Sequence, residues 1–183
     1  MNSEASDSRV SYIRNSVTKI ADYPKPGIIF RDITSTLADV RALTYVLDIF
    51  SERYQRSGIT QIAGIEARGF IFAAALADRL QTGVTLIRKP GKLPRAVHQQ
   101  SYSLEYGEDT LELHRDALGA TDKVLLIDDL LATGGTMQAA AKLVSQCGAT
   151  ISEAAFLIEL SGLQGRQRIA QAGVSTYAIC EYD

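Results

Sequence analysis

The chain predicts an α/β fold, a mainly parallel central sheet flanked by helices on both faces. Two observations carry that expectation. From Thr60 onward, short β-branched and apolar runs alternate with helix-forming segments, the rhythm of successive strand–helix units. Within that stretch, Val124-Leu125-Leu126-Ile127 is apolar at every position, as in a strand buried on both sides. It leads through Asp128-Asp129 and a Thr133-Gly134-Gly135-Thr136 turn into Met137–Val144, a strong helix former without a breaker. At 183 residues, a single domain is the natural count.

Each element has its own signal. Residues 1–7 are polar and are expected to be disordered. Val10, Ile13, Val17 and Ile20 recur at helical spacing, which predicts an amphipathic helix from about Ser8 to Ile20. Tyr23–Thr36 contains Pro24, Pro26 and Gly27 and reads as an irregular segment. A second helix is expected over Asp39–Gln55, capped by Asp39, with Leu43, Val46, Leu47, Phe50 and Tyr54 on one stripe. Strand, helix and strand follow at Ile62–Ile65, Gly69–Leu80 and Thr82–Arg88. Lys89–Gly107 has no clear period, and a loop of that length is usually functional or mobile. Short strands are expected at Thr110–His114 and Lys123–Ile127, then a helix over Gly135–Cys147. Thr150–Leu160 reads as a long strand, Leu163–Ala172 as a helix stopped by Gly173, and Ser175–Glu181 as the strand that closes the sheet.

Composition narrows the function. The hydrophobic fraction of 46% supports a real core, and 19 basic against 21 acidic residues leave a net charge of −2. That balance gives no general attraction to nucleic acid or to an anionic membrane. No apolar stretch is long enough to span a bilayer, and the N-terminus is unlike a secretory signal, so a cytoplasmic location is expected. Cys147 and Cys180 are far apart in apolar surroundings and read as reduced, buried thiols. His98 and His114 have no metal-spaced partner and read as solvated or structural.

The chemistry concentrates at the turn after residue 127. Unsatisfied N–H groups at a helix start favour a phosphate, Gly134 and Gly135 let the main chain approach it, and Thr133 and Thr136 add hydroxyls. Asp128 and Asp129 would repel a phosphate. They suit sugar hydroxyls, or a divalent cation that itself carries phosphate oxygens. The chain has neither a Walker A loop nor a dinucleotide fingerprint at this turn, which leaves a ribose 5-phosphate site. The alternative, an ordinary Thr-capped βα turn, would place two carboxylates at a buried strand end with no return for their desolvation. Glu66-Ala67-Arg68-Gly69 and Arg88-Lys89 also follow strands, so all three motifs are expected at one edge of the sheet. By themselves the first also reads as a helix-start Glu paired with a nearby Arg, and the second, with Lys92, as a solvated charge run.

Val124–Thr136 resembles the PRPP (5-phosphoribosyl pyrophosphate) motif of the type I phosphoribosyltransferases, in the version of their adenine-specific branch. Pro24–Ile33, Gly64–Phe70 and Ser101–Gly107 match the same branch, in order, and with Arg88–Pro94 the likeness covers nearly the whole chain. The resemblance implies transfer of phosphoribose from PRPP to adenine, giving AMP and pyrophosphate, by a homodimer. It implies Mg²⁺ held mainly by PRPP, reached by Asp128 and Asp129 through water. Ala132, Thr133, Gly134, Gly135 and Thr136 would bind the 5′-phosphate, and Asp128 and Asp129 the ribose. Glu66, Ala67, Arg68, Arg88, Lys89, Lys92 and Tyr106 would surround the pyrophosphate, with Glu66-Ala67 as the candidate for a strained peptide. Glu105, on a flexible loop at about 89–110, would be the acid–base group near N7; its plainer role is surface charge. A hood at about 21–36 would hold adenine between Phe30 and Leu130, with main-chain groups of Ile29 and Arg31 reading its edge. Rival readings are a hypoxanthine or guanine enzyme, against which the Phe30 hood and Ser101–Gly107 argue, and a PRPP-sensing regulator, for which no basic footprint is present.

Overall fold

Local hydrogen bonding ends the first helix earlier than its apolar spacing predicts. In the computed structural model, which describes residues 3–103 and 107–183, α1 spans Ser3–Ser16. The helix therefore already includes residues 3–7, expected to be disordered. It stops where the Ser16 hydroxyl bonds the Ile13 carbonyl at 2.7 Å and meets Thr36 Oγ1 at 2.9 Å, a local alternative to the helical ladder. The β-branched residues beyond it form β1 (Thr18–Ala21) instead of a last helical turn. β1 pairs antiparallel with β2 (Ile29–Asp32), across a turn containing the cis Tyr23–Pro24 bond and Gly27 at φ +85°. A short helix α2 (Thr34–Ala38) precedes α3 (Val40–Tyr54). Asp39 caps α3 as expected: Oδ1 accepts the N–H groups of Arg41 (2.8 Å) and Ala42 (3.1 Å). Of the expected stripe, Val46, Leu47, Phe50 and Tyr54 are buried and Leu43 is half-buried.

The chain forms two compact units, Met1–Phe50 and Ser51–Asp183. The second contains β3 (Gln61–Ile65), α4 (Gly69–Leu80), β4 (Gly83–Ile87), β5 (Val97–Ser103), β6 (Glu108–His114) and β7 (Lys123–Leu131). After these come α5 (Gly135–Gln146), β8 (Thr150–Leu160), a 3₁₀ turn at Ser161–Leu163, α6 (Gly165–Gln171) and β9 (Thr176–Tyr182). Five strands pair in parallel in the order β4-β3-β7-β8-β9. Alternate residues serve opposite faces. Ala63, Ile65, Val124 and Leu126 share one core cluster with Ala140, Leu143 and Val144 of α5. Gly64, on the other face, admits α4 so closely that a Cβ there would lie 2.8 Å from the Ala73 Cβ.

Three expectations are corrected in this unit. The aperiodic stretch after Lys89 contains β5, which pairs antiparallel with β6 from Val97↔His114 to Ser103↔Glu108. Its sequence, VHQQSYS, hides the strand because only Tyr102 carries a large buried side chain, while Leu111 and Leu113 supply the apolar face from the partner strand. Reciprocal backbone bonds between Arg88 and Glu112 (3.0 and 2.7 Å) join this hairpin to the end of β4. Second, β7 does not stop at Ile127 but carries Asp128 and Asp129 within the strand, held by pairing with β8 as far as Leu131↔Glu159. Third, the helix expected over Leu163–Ala172 is divided at Gln164, whose φ of 55° breaks the helical path. Among the described residues, no helix is long and apolar enough to cross a membrane.

Candidate active site

Parallel strands deliver their following turns to one edge of the sheet, and the three polar motifs meet there. A cavity of about 340 Å³ opens beyond β3 and β7, lined by Ile65–Arg68, Lys89, Tyr102, Asp128–Met137 and Phe156.

Its floor is the end of β7. Asp129 is buried, and its carboxylate accepts the Arg68 Nε–H across the cavity. Asp128 Oδ1 accepts the N–H of Asp129 at 2.9 Å. Burial, and then the neighbouring Asp129 charge, push the Asp128 carboxyl well above its ordinary range, against the opposing pull of that N–H and of Arg68. Gly69 makes the convergence possible: a Cβ there would sit 2.8 Å from the Ile127 carbonyl and 3.0 Å from Asp128 Oδ1. The Glu66–Ala67 peptide, singled out by the resemblance, is cis.

Beyond the carboxylates the chain turns into α5. Gly134 is the helix N-cap at φ +80°, with no side-chain cap, and the ladder begins with Gln138 N–H donating to the Gly134 carbonyl at 2.9 Å. The amides of Gly135, Thr136 and Met137 therefore precede the ladder, and no acidic residue occupies the first turn. Such a turn is suited to an anion, and Ala132, Thr133, Gly134, Gly135 and Thr136 all line the cavity.

The rim is built from side chains. Glu66 is the hub of the basic groups: Oε2 accepts Arg88 Nε–H (3.3 Å) and Lys89 N–H (3.0 Å), and Oε1 accepts the Lys92 ammonium. Burial pushes this carboxyl up, but the bonds from Lys92, Lys89 and Arg88 override it and hold it at about 2. Glu66 does pair with an Arg, but the partner is Arg88 across the strands, while Arg68 turns to Asp129. The Lys89 ammonium donates to Tyr102 Oη at 3.1 Å and to Asp109. Asp109 was not anticipated, because Tyr102 and Asp109 become neighbours only through the hairpin register. Phe156, which pairs with Asp128 across β7–β8 and closes the apolar side, has no local sequence signal either.

Leu130 lines the cavity. Ile29, Phe30 and Arg31 lie on β2 in the first unit, where the Tyr23 and Phe30 rings meet edge to face at 5.2 Å. Glu105 and Tyr106 fall outside the described residues. His98 lies in β5 rather than in a mobile loop, and His114 Nε2 accepts the Arg95 N–H at 3.3 Å.

A known family shares this arrangement. The phosphoribosyl transferase domain model matches residues 34–174. An adenine phosphoribosyltransferase from Idiomarina loihiensis is 52% identical over 176 residues, 96% of this chain and 99% of the relative. The crystal structure of adenine phosphoribosyltransferase from Thermoanaerobacter pseudethanolicus superimposes with a TM-score of 0.90 at 41% identity, covering 94% of this chain and 99% of that one. A Trypanosoma brucei adenine phosphoribosyl transferase, crystallised with AMP, pyrophosphate and ribose-5-phosphate, is 27% identical with a TM-score of 0.87, covering 94% of this chain and 79% of that one.

Proposed function

The chain belongs to the phosphoribosyltransferase family, in its adenine phosphoribosyltransferase branch, and from that premise we propose that it transfers phosphoribose from PRPP to N9 of adenine, giving AMP and pyrophosphate. The observation that carries this reading is one cavity in which a carboxylate pair, the buried Asp129 and the half-buried Asp128, adjoins the uncapped N-terminus of α5. A phosphate and a sugar diol need those two chemistries side by side. The trypanosomal relative, crystallised with both products and ribose-5-phosphate, supports the same ligand class.

In this reading the turn from Ala132 to Thr136 holds the 5′-phosphate through main-chain amides. Asp128 and Asp129 hold the ribose hydroxyls and favour the positive charge that develops on the sugar as C1′ leaves the diphosphate. Arg68 exchanges its bond to Asp129 for pyrophosphate oxygens, and Lys89 does the same from Tyr102 and Asp109. Glu66 keeps Arg88, Lys89 and Lys92 together at that end. Leu130 offers an apolar face to the adenine ring, and Ile29, Phe30 and Arg31 keep the base-binding role that the family resemblance implies. Glu105 moves the proton at N7, and Tyr106 contacts the pyrophosphate.

Mg²⁺ enters this reading with PRPP. Among the described residues no group of three or more metal-ligating side chains is present, and the Asp128–Asp129 pair facing the cavity fits an ion brought by its substrate and met through water. When bound, the ion neutralises diphosphate charge. A homodimer and a cytoplasmic location complete the proposal.

The test is incubation with PRPP, Mg²⁺ and each of adenine, hypoxanthine and guanine, with nucleotide products resolved by chromatography. AMP from adenine alone is expected. IMP or GMP would reassign the base, and PRPP binding without any nucleotide would favour a regulator.

A further inference from the structure

We propose that Gly165, the first residue of α6, is a positioning residue for the 5′-phosphate turn, an inference that rests on the phosphoribosyl reading of the site. Nothing in the motif at 124–136 points to it, and the sequence reads it as the interior of a helix. In the structure two main chains meet at this place. A Cβ on Gly165 would lie 2.2 Å from the Ala132 carbonyl oxygen and 2.7 Å from Leu131 Cδ1. From the other side, a Cβ on Gly134 would lie 2.8 Å from the Gly165 carbonyl oxygen and 3.2 Å from its Cα. The two glycines thus sit backbone against backbone. Their requirements differ, though. Gly134 needs a positive φ, whereas Gly165 needs only the missing side chain.

α6 cannot retreat from this contact without breaking other bonds. Arg166 donates from Nε to Glu159 Oε1 (3.0 Å) and from Nη1 to the Thr176 carbonyl (2.8 Å), and its Nη2 also reaches Glu159. Glu159 is buried on β8, and Ile169 of α6 is fully buried. Arg168 Nε donates to Gln138 Oε1 of α5 at 3.2 Å. The helix is therefore anchored to two strands and to α5. With α6 held in this way, an added methyl group at 165 is expected to displace the turn from Ala132 to Gly134. That turn carries the amides assigned to the phosphate, and a displacement of about 1 Å in such a site can cost on the order of a hundredfold.

The experiment compares the parent with Gly165→Ala. Titration with ribose 5-phosphate and initial rates of AMP formation are measured side by side. The variant is expected to bind ribose 5-phosphate at least roughly tenfold more weakly and to raise KM for PRPP, while KM for adenine stays at the parent value. A purely structural role would lower the melting temperature and the active fraction without separating the two KM values. Equal ribose 5-phosphate affinity in parent and variant would overturn the inference and leave the phosphoribosyl reading intact. A parent that neither binds ribose 5-phosphate nor forms AMP would overturn both. Should the variant not fold, hydrogen exchange on the parent decides. Ribose 5-phosphate is expected to slow exchange in α6 as well as in the turn, and unchanged α6 exchange would overturn the coupling.

Discussion

The floor and the rim of the cavity handle charge in opposite ways. On the floor, Asp128 and Asp129 are held close together by β7, and the fold disfavours ionisation of Asp128. On the rim, Glu66 sits among Arg88, Lys89 and Lys92, and the fold favours its ionisation down to about pH 2. The rim carboxylate is already satisfied by its neighbours, so it organises the site and adds stability. Among the described residues, the floor carboxylates accept one backbone N–H and the Arg68 Nε–H. Two adjacent carboxylates, one of them held against ionisation, are costly for folding and useful for a ligand rich in hydroxyl groups.

That contrast can be broken most directly at Asp129. Asp129→Asn is expected to lower AMP formation by about 10²- to 10³-fold, because it removes negative charge where the sugar becomes positive, with little loss of thermal stability. Parent-like turnover would remove the acidic pair from the mechanism. Next in size is Lys89→Gln. Loss of a charge-assisted bond to the leaving pyrophosphate is worth about 1.5–3 kcal/mol, so kcat/KM for PRPP should fall roughly ten- to hundredfold in steady-state assays.

Stability against pH sharpens the comparison further. Glu66 titrates at about 2 in the fold against an ordinary 4.5. Its contribution is complete above about pH 4.5 and is lost as pH falls towards about 2. Melting curves of Glu66→Gln should therefore lie below the parent at neutral pH and approach it as pH falls through that window. Asp128 has the opposite sign. Its raised value means that the carboxylate destabilises the fold above that value, and that this deficit disappears below the ordinary 3.8. Asp128→Asn should raise the melting temperature at neutral pH while impairing turnover. A lower melting temperature would show that the pair is structurally satisfied. The smallest effect is expected at Lys92. Its side chain is 47% exposed, so Lys92→Ala should cost ~0–1 kcal/mol in chemical denaturation, less in high salt.

Much of the site was legible because it is local in sequence. Two carboxylates in β7 and a two-glycine turn into α5 announce a phosphate and a diol within thirteen consecutive residues, Val124–Thr136. α4 and β8 match their expected bounds, since apolar residues dominate both and short polar, glycine-containing segments follow them. Where the reading missed, the deciding group lay elsewhere in the chain. The strand β1 replaces a helical turn because Ser16 finds partners locally and at Thr36, and β2 supplies the pairing. β5 has too few apolar residues to declare itself and exists through its bonds to β6.

The amino-acid order by itself determined the α/β alternation, the acidic strand and the anion-binding turn, because each depends on residues within one or two elements of one another. The tertiary structure alone decided that Arg68 answers Asp129, that Glu66 gathers three basic residues, that Asp109 reaches Lys89, and that Gly165 presses on Ala132. Those contacts join segments that meet only once the sheet has set their register, and neither side-chain chemistry nor periodicity along the chain encodes that distance.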